Sequence, residues 1–491
     1  MRGIEKRDCL LLALILVGFA LYTFVLPPIW NHGEAREGLG IQDIVRHHHW
    51  ILPYRNGEPP SKPPLFHWIG AALAFLFGLS DFIVRLPSVL AAGIVAVVAF
   101  ILGTALGGRR TAWLAVGALL GMYQFWISGT EARVDMVFAA CVTVSLAGFF
   151  FWYRDGRESA RVTCYLAAML AVLAKGPVGI ALPGLVIVAF LAVERRFSLI
   201  WKLWSWPLIA AALLIDLGWY ALAYRTGGEK FFAWQIMHEN VDQLFGTHGF
   251  ESNKTTLSML GWIPTRTFPW NLALVWGLMR WRRGESEDSA GRFLYVWWFA
   301  ITAFFFLVNI KRSIYLLPTY PAVALLAARA LTSIGSRAAE SNRPIEARLG
   351  WLFQTPRRAI ATIVLLDLAL VLFNPRVWQR TASYRSTLAF VQEVGARVPQ
   401  NTPLFAATKL RGSDLLIAAY RLQRTIPRKP LACAGPNDYF LLRPEMPDTE
   451  GIEMQVLAAS RKNDAALVTV TSTGDKPCSS ENLDVEEDDA D

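Results

Sequence analysis

Charge is scarce in this sequence. Asp, Glu, Lys and Arg together make only 18% of its 491 residues, against 54% hydrophobic residues. Soluble domains of this length carry more charge and shorter apolar runs, so a soluble globular class is excluded. Cysteine is also sparse, with five residues and no paired spacing of the kind that builds a zinc site. Cys9, Cys141 and Cys164 fall in or beside apolar segments and read as small core residues. Cys433 and Cys478 fall in the polar C-terminal part, where a disulfide is chemically allowed if that part lies outside the cytoplasm. No Walker loop, GxGxxG, HExxH or internal repeat is present, so nothing points to a nucleotide site or a zincin. The net charge of +9 does not point to nucleic acid. Its basic excess sits in short stretches such as "GGRRT", "ERRF" and "RWRRG" between apolar segments, the pattern of the positive-inside rule.

What is present is a series of apolar runs long enough to cross a bilayer. Spanning helices are expected near 9–30, 84–107, 111–128, 134–153, 162–174, 177–193, 206–224, 257–279, 292–309, 313–332 and 357–374. The first follows Arg2, Lys6 and Arg7 and lacks a small-residue cleavage site, so it reads as a retained helix. The run 64–79 is too short for a comfortable crossing of about 30 Å. Placing the N-terminus in the cytoplasm and treating 64–79 as re-entrant or interfacial puts the Arg-rich loops inside, as the charge rule prefers. The same arrangement puts "NHGEAR…SKPP", "GTEARVD", "AKGP", "GGEKFFAWQIMHENVDQLFGTHGFESNK" and "NIKRSIY" on the outer face. The expected organisation is a transmembrane domain over 1–380 with an outer first loop at 31–83, a small outer α/β domain over 381–475, and an acidic tail over 476–491. In that domain "STLAFVQEVGARV" and "SDLLIAAYRL" read as helices, and "TPLFAATK", "DYFLLR" and "DAALVTVT" as strands.

Chemistry-bearing residues gather at the outer rim. "NHGEAREGLG" carries Glu34, Arg36 and Glu37 and runs on through "RHHHW" to "GEPPSKPPLFHW". There, four prolines stiffen the chain around Lys62. "GTEARVD" carries Glu131, Arg133 and Asp135, and Asp135 opens an apolar run where an acid must be paired or hydrated. Lys175 precedes a Gly-Pro helix break whose freed amides could meet an anion. Lys311, Arg312 and Tyr315 stand at the outer start of a helix, where cations oppose the helix dipole and an anionic ligand would explain them. His238, Glu239 and His248 share one outer loop, either as substrate cover or as donors to a divalent metal; their spacing matches no compact metal site. Outer carboxylates beside outer cations suit transfer of a sugar from a membrane-anchored phosphate. Cations would stabilise the departing phosphate and a carboxylate would take the acceptor's proton.

The stretches "GEAREGLGIQDIVRHHHWILPYRNGEPPSKPPLFHW", "RLPSVLAAG", "ARVDM", "AKGPVGIALPGL" and "KRSIYLLPTYPAVALLAA", in that order, resemble bacterial membrane glycosyltransferases of the C fold (GT-C). They are most similar to the aminoarabinose lipid A transferase and protein O-mannosyltransferase superfamily. The resemblance implies a polytopic α-helical protein of about 11–13 transmembrane helices. It implies inverting transfer from a polyprenyl-phosphate sugar donor to a lipid or protein acceptor at the periplasmic face of the bacterial inner membrane. Glu34 and Arg36 match the family motif, and Gly33 stands where the family has its first acid, the usual base. Glu34 becomes the candidate base, with Asp135 as the second choice. Lys62 matches the lysine expected on the donor phosphate, with Arg36, Lys311, Arg312 and Tyr315 as further phosphate ligands. Glu131, Arg133, Lys175, His238, Glu239 and His248 are the candidate substrate contacts. Ser61 replaces the family glutamate implicated in metal binding, so no metal ligand is assigned. Expected partners are the lipid-linked donor, the acceptor and membrane lipids, and no nucleic acid. Two other readings stay open, a transporter or flippase of lipid-linked substrates and a non-catalytic membrane scaffold.

Overall fold

The computed structural model describes residues 5–242, 256–282, 287–308, 311–338, 358, 387–408, 410, 412–443, 452–460 and 465–472. The expected span 357–374 and the acidic tail lie outside the described residues, apart from Arg358. The chain divides into two compact units. One holds Met1–Val25, Ser61–Leu73 and Arg85–Phe373; the other holds Leu26–Pro60, Ala74–Val84 and Asn374–Asp491.

The first unit is helical. Among the described residues six helices are long and apolar enough to cross a membrane: Lys6–Val25, Asp81–Leu120, Val134–Asp155, Trp206–His238, Ser289–Leu307 and Ser313–Ser333. This is a multi-pass membrane protein. We label α1 Lys6–Val25, α2 His32–His47, α3 Leu65–Phe77, α4 Asp81–Leu120, α5 Tyr123–Thr130, α6 Val134–Asp155, α7 Glu158–Lys175 and α8 Val178–Val193. The α4 stretch is two helices joined at Gly107 and Gly108. Gly108 sits at φ 78°, a backbone that glycine adopts without strain. Its second half closes on α1, where buried Asp8 accepts from Arg109 Nε and Trp113 Nε1, each at 2.9 Å. Two expected spans are corrected. The run 111–128 breaks after Leu120 and resumes as α5. The run 257–279 splits into Thr256–Thr267 and Leu272–Arg282, with Pro269 between them unable to donate a helix hydrogen bond.

α6 and α7 form a tight hairpin because small residues face each other. A Cβ on Gly148 would stand 2.8 Å from the Ala160 carbonyl oxygen, and Ser145 Oγ donates to Cys164 O at 2.9 Å. α7 ends at Lys175, Gly176 turns at φ 82°, and Pro177 opens α8. That is the helix break expected from "AKGP".

In the second unit, among the described residues, four strands form one sheet in the order β1-β2-β4-β3, from Leu404–Ala406, Tyr439–Leu442, Ala466–Ser472 and Glu453–Ala459. β1 and β2 are parallel and the other pairs antiparallel. Phe440, Leu442, Val468 and Val470 supply its apolar core. Residues 387–397 and Gly412–Leu422 are helical, as the sequence predicts. β3 was not expected, and it is an edge strand whose side chains are mostly exposed. Cys433 is disulfide-bonded, whereas Cys9, Cys141 and Cys164 are free; Cys478 lies outside the described residues.

Candidate active site

The stretch "NHGEAREGLG" is a helix, not the loop expected. Asn31 caps α2: its side chain accepts from Glu34 N at 2.9 Å and donates Nδ2–H to Glu34 Oε2 at 2.8 Å. This reciprocal cap fixes the Glu34 carboxylate at the positive end of the helix, where an anion is favoured. Glu34 is 1% exposed. Arg36 pairs with the buried Glu37 at 3.0 Å. The cap signal, Asn followed three residues later by Glu, was present in the sequence.

The helix Gly412–Leu422 of the same unit packs on α2. Gln42 Nε2 donates to Tyr420 O at 3.2 Å. The Tyr420 hydroxyl donates to Asp81 Oδ1 at 2.8 Å, Arg421 bonds the same carboxylate at 2.8 Å, and Asp81 also accepts from Ile29 N at 2.9 Å. Burial, followed by the neighbouring Asp81 carboxylate, pushes the Tyr420 phenol well above its usual range. Gly38 is small by necessity, since a Cβ there would lie 2.4 Å from Tyr420 Cε2. Neither Asp81 nor Tyr420 stood out in the sequence, because their partners lie hundreds of residues away.

The membrane unit gathers the other group. Lys175, at the end of α7, pairs with Asp135 in the first turn of α6. Its ammonium also lies 4.1 Å over the Tyr315 ring and 5.4 Å from the Phe138 ring. Arg133 and Lys62 both act electrostatically on Asp135. Arg133 pairs with Glu131 at 3.2 Å, and Ser88 fixes its backbone by accepting from Arg133 N at 3.0 Å. Five of the expected residues, Lys62, Arg133, Asp135, Lys175 and Tyr315, therefore share one locality.

The remaining candidates have other surroundings. Lys311 is 6% exposed and donates to Phe306 O at 2.9 Å and to Val308 O, so it caps the carbonyl end of the helix Ser289–Leu307. A cation there meets the negative end of the preceding helix, which resolves the apparent conflict with the dipole of the following one. Arg312 is half-buried at the start of the 3-10 turn Ser313–Thr319. His238 stacks on Trp234 at 4.5 Å in a π-helical segment, Phe232–Asp242, that also contains Glu239 in its backbone. His248 lies outside the described residues.

The fold has close relatives among solved structures. The crystal structure of ArnT from Cupriavidus metallidurans bound to undecaprenyl phosphate superposes with a TM-score of 0.78 at 18% identity, covering 95% of this chain and 98% of that one. The chain has the GT-C fold. An Archaeoglobus fulgidus oligosaccharyltransferase shares it more distantly, with a TM-score of 0.51 at 13% identity over 88% of this chain and 66% of that one. Residues 61–219 match the family model described as dolichyl-phosphate-mannose-protein mannosyltransferase. Among curated proteins, the chain is similar to the undecaprenyl phosphate-alpha-4-amino-4-deoxy-L-arabinose arabinosyl transferase of Shewanella sediminis. The two are 26% identical over 66% of this chain and 60% of the relative. An enzyme of the same description from Pseudomonas fluorescens is 27% identical over 77% of this chain and 66% of the relative. This GT-C chain thus spans about two thirds or less of the length of these relatives. The matched segment 61–219 contains Lys62, Asp135 and Lys175 together.

Proposed function

We propose that the protein is an inverting glycosyltransferase that moves a sugar from a polyprenyl-phosphate donor to a lipid acceptor, such as lipid A or a glycolipid, or to a protein. The observation that carries this reading is the convergence of Lys62, Arg133 and Lys175 on Asp135, with Tyr315 beneath the Lys175 ammonium. Three cations around one acid at the ends of membrane helices suit a phosphate held at headgroup depth, and they would stabilise the charge that builds on it as the glycosidic bond breaks. The curated arabinosyl transferases support the donor class by their description.

In the proposed reaction an acceptor hydroxyl attacks the anomeric carbon from the face opposite the phosphate. The carbon–oxygen bond to the phosphate breaks, polyprenyl phosphate leaves, and a carboxylate takes the hydroxyl proton. Glu34 is the proposed base. Asp135 is paired with Lys175 and holds it in place. Lys62, Arg36, Arg312 and Tyr315 are the proposed phosphate contacts, with Glu131, Arg133 and Lys175 lining the substrate path. We propose that the segments bearing these residues and the C-terminal α/β unit face the periplasm of a bacterial inner membrane. The disulfide at Cys433 supports an oxidising compartment.

The test uses the full chain in lipid nanodiscs with undecaprenyl phosphate. Wild type and Glu34→Gln should bind the carrier lipid with similar affinity, and Lys62→Ala should lose at least about tenfold, the size of one charge-assisted phosphate contact. Equal binding by all three, or binding by none, would overturn the site assignment.

A further inference from the structure

The "RHHHW" motif takes no part in the proposed transfer, yet two of its three histidines are held in one place. α2 ends at His47, and His48 adopts a left-handed backbone at φ 58° whose N–H donates to Ile44 O at 3.0 Å. That turn swings His49 back beside the helix. His47 Nδ1 and His49 Nδ1 then meet the two oxygens of a single carboxylate, Asp43, each at 2.9 Å. Ligand atoms of Asp43, His47 and His49 all lie within 4.8 Å of one another. Asp43 is fixed from behind by Tyr54 N, which donates to Oδ2 at 2.8 Å, and the Tyr54 ring meets His49 edge-on at 5.4 Å. The middle histidine points elsewhere: His48 stacks on Phe75 at 6.2 Å, and Trp50 stacks on the same ring at 5.8 Å.

We propose that Asp43, His47 and His49 form a divalent transition-metal site, with zinc as the best-matched ion. Two imidazoles and one carboxylate are the donor set that zinc takes in open sites, with water completing the tetrahedron. Zinc bonds of about 2.0–2.2 Å to each donor put those donors roughly 3.3 Å apart; each histidine already stands 2.9 Å from the carboxylate, and all three donors lie within 4.8 Å of one another. Drawing the three donors onto one ion replaces two hydrogen bonds with three metal bonds. The backbone already supplies what such sites usually must organise: a helix end, a left-handed turn and the Tyr54 N–H that orients the carboxylate. The ion would tie the C-terminal end of α2 to the 48–54 turn. The site uses none of the residues of the family metal motif, in which Ser61 replaces a glutamate, and it does not depend on the proposed transfer reaction.

The test is binding of zinc and cobalt(II) to the full-length chain in nanodiscs, without a histidine tag and after chelator treatment. Wild type should bind one zinc tightly enough to compete with a micromolar chromophoric chelator. Cobalt(II) should show the visible bands of a four- or five-coordinate nitrogen–oxygen site. Losing an outer partner of a metal ligand typically costs 10- to 100-fold, so His49→Ala and Asp43→Asn should each cost at least about tenfold. His48→Ala should bind as wild type, and zinc should raise the thermal midpoint of wild type and not of His49→Ala. Binding that survives both His47→Ala and His49→Ala, or a wild type that does not compete with the chelator for zinc, would overturn the proposal and leave the triad as surface hydrogen bonds.

Discussion

Replacing Gly38 with alanine sets two effects against each other. Alanine favours a helix over glycine by about 1 kcal/mol, so an unobstructed change should tighten α2. The new Cβ, however, would stand 2.4 Å from Tyr420 Cε2 and 2.9 Å from Cδ2. The ring has little freedom to yield, being 3% exposed with its hydroxyl bonded to Asp81 at 2.8 Å. Overpacking of this kind costs about 1–3 kcal/mol. If the ring is pushed aside it also loses a bond to a carboxylate, worth about 1.5–3 kcal/mol. After subtracting the helical gain, the low end is about 1.5 kcal/mol, or roughly a tenfold rise in local opening. Amide hydrogen exchange across residues 32–47 of the full chain reads that opening directly. Gly38→Ala should exchange at least about tenfold faster there than wild type. In a Tyr420→Leu background, with the ring gone, the same substitution should slow exchange because only the helical gain remains. Slower exchange in the single variant, or the same sign in both backgrounds, would refute the reasoning that Tyr420 packs rigidly over Gly38.

Other expectations follow from the contacts described. Lys175→Ala leaves the Asp135 carboxylate without its ion-pair partner and should cost about 3–5 kcal/mol of stability; Asp135→Asn with Lys175→Met should recover most of the thermal midpoint but not the carrier-lipid binding. Asn31→Ala removes the α2 cap at a cost of about 1 kcal/mol, and transfer activity should fall with it if Glu34 must be held at the helix end. Burial works to raise the Asp438 carboxyl, but the Lys429 ammonium at 2.7 Å and the Gly435 N–H at 2.8 Å outweigh it and hold the group below its usual 3.8. A lowered carboxyl stabilises the folded form above that value and loses its contribution as the pH falls below it. Acid-induced loss of protection around 435–442 should therefore begin below about pH 4 in wild type and lose that component in Asp438→Asn.

The membrane helices were legible because hydrophobic length is a local property. Even the shortness of α3, Leu65–Phe77, and the break before Pro177 were visible in the sequence. Two spans were drawn too long, because an apolar run conceals a break when the interrupting residues, Gly121 and Met122 or Pro269 and Trp270, are themselves apolar or small. α2 was hidden by its polarity. Its buried face mixes Leu39, Ile41 and Ile44 with Glu34, Glu37, Gln42 and three glycines, so the charged and small residues mask the apolar ones although the Asn31 cap is explicit. β3 was hidden for a related reason, since "EMQVLAA" combines weak strand formers with a mostly exposed edge position. In the candidate site, Asp135 and Lys175 were both identified from the cost of charge at apolar depth. Their pairing across two helices is a tertiary fact that spacing along the chain does not encode. Lys311 shows the opposite limit. The sequence reading assigned it to the helix that follows, whereas its hydrogen bonds belong to the one before.

The contact between Gln42 and Tyr420 spans 378 residues of chain. At a synthesis rate of about 5–20 residues per second, α2 emerges roughly 20–75 s before the helix that covers it. During that interval the Gly38 surface and the Asp81 carboxylate lack their final partners, and the membrane helices between them must insert first. Assembly of the second unit is consequently a late event that reports on synthesis through Leu422. A ribosome that stalls within the membrane region leaves a nascent protein whose α2 is bare, a natural target for chaperones and proteases on that side of the membrane.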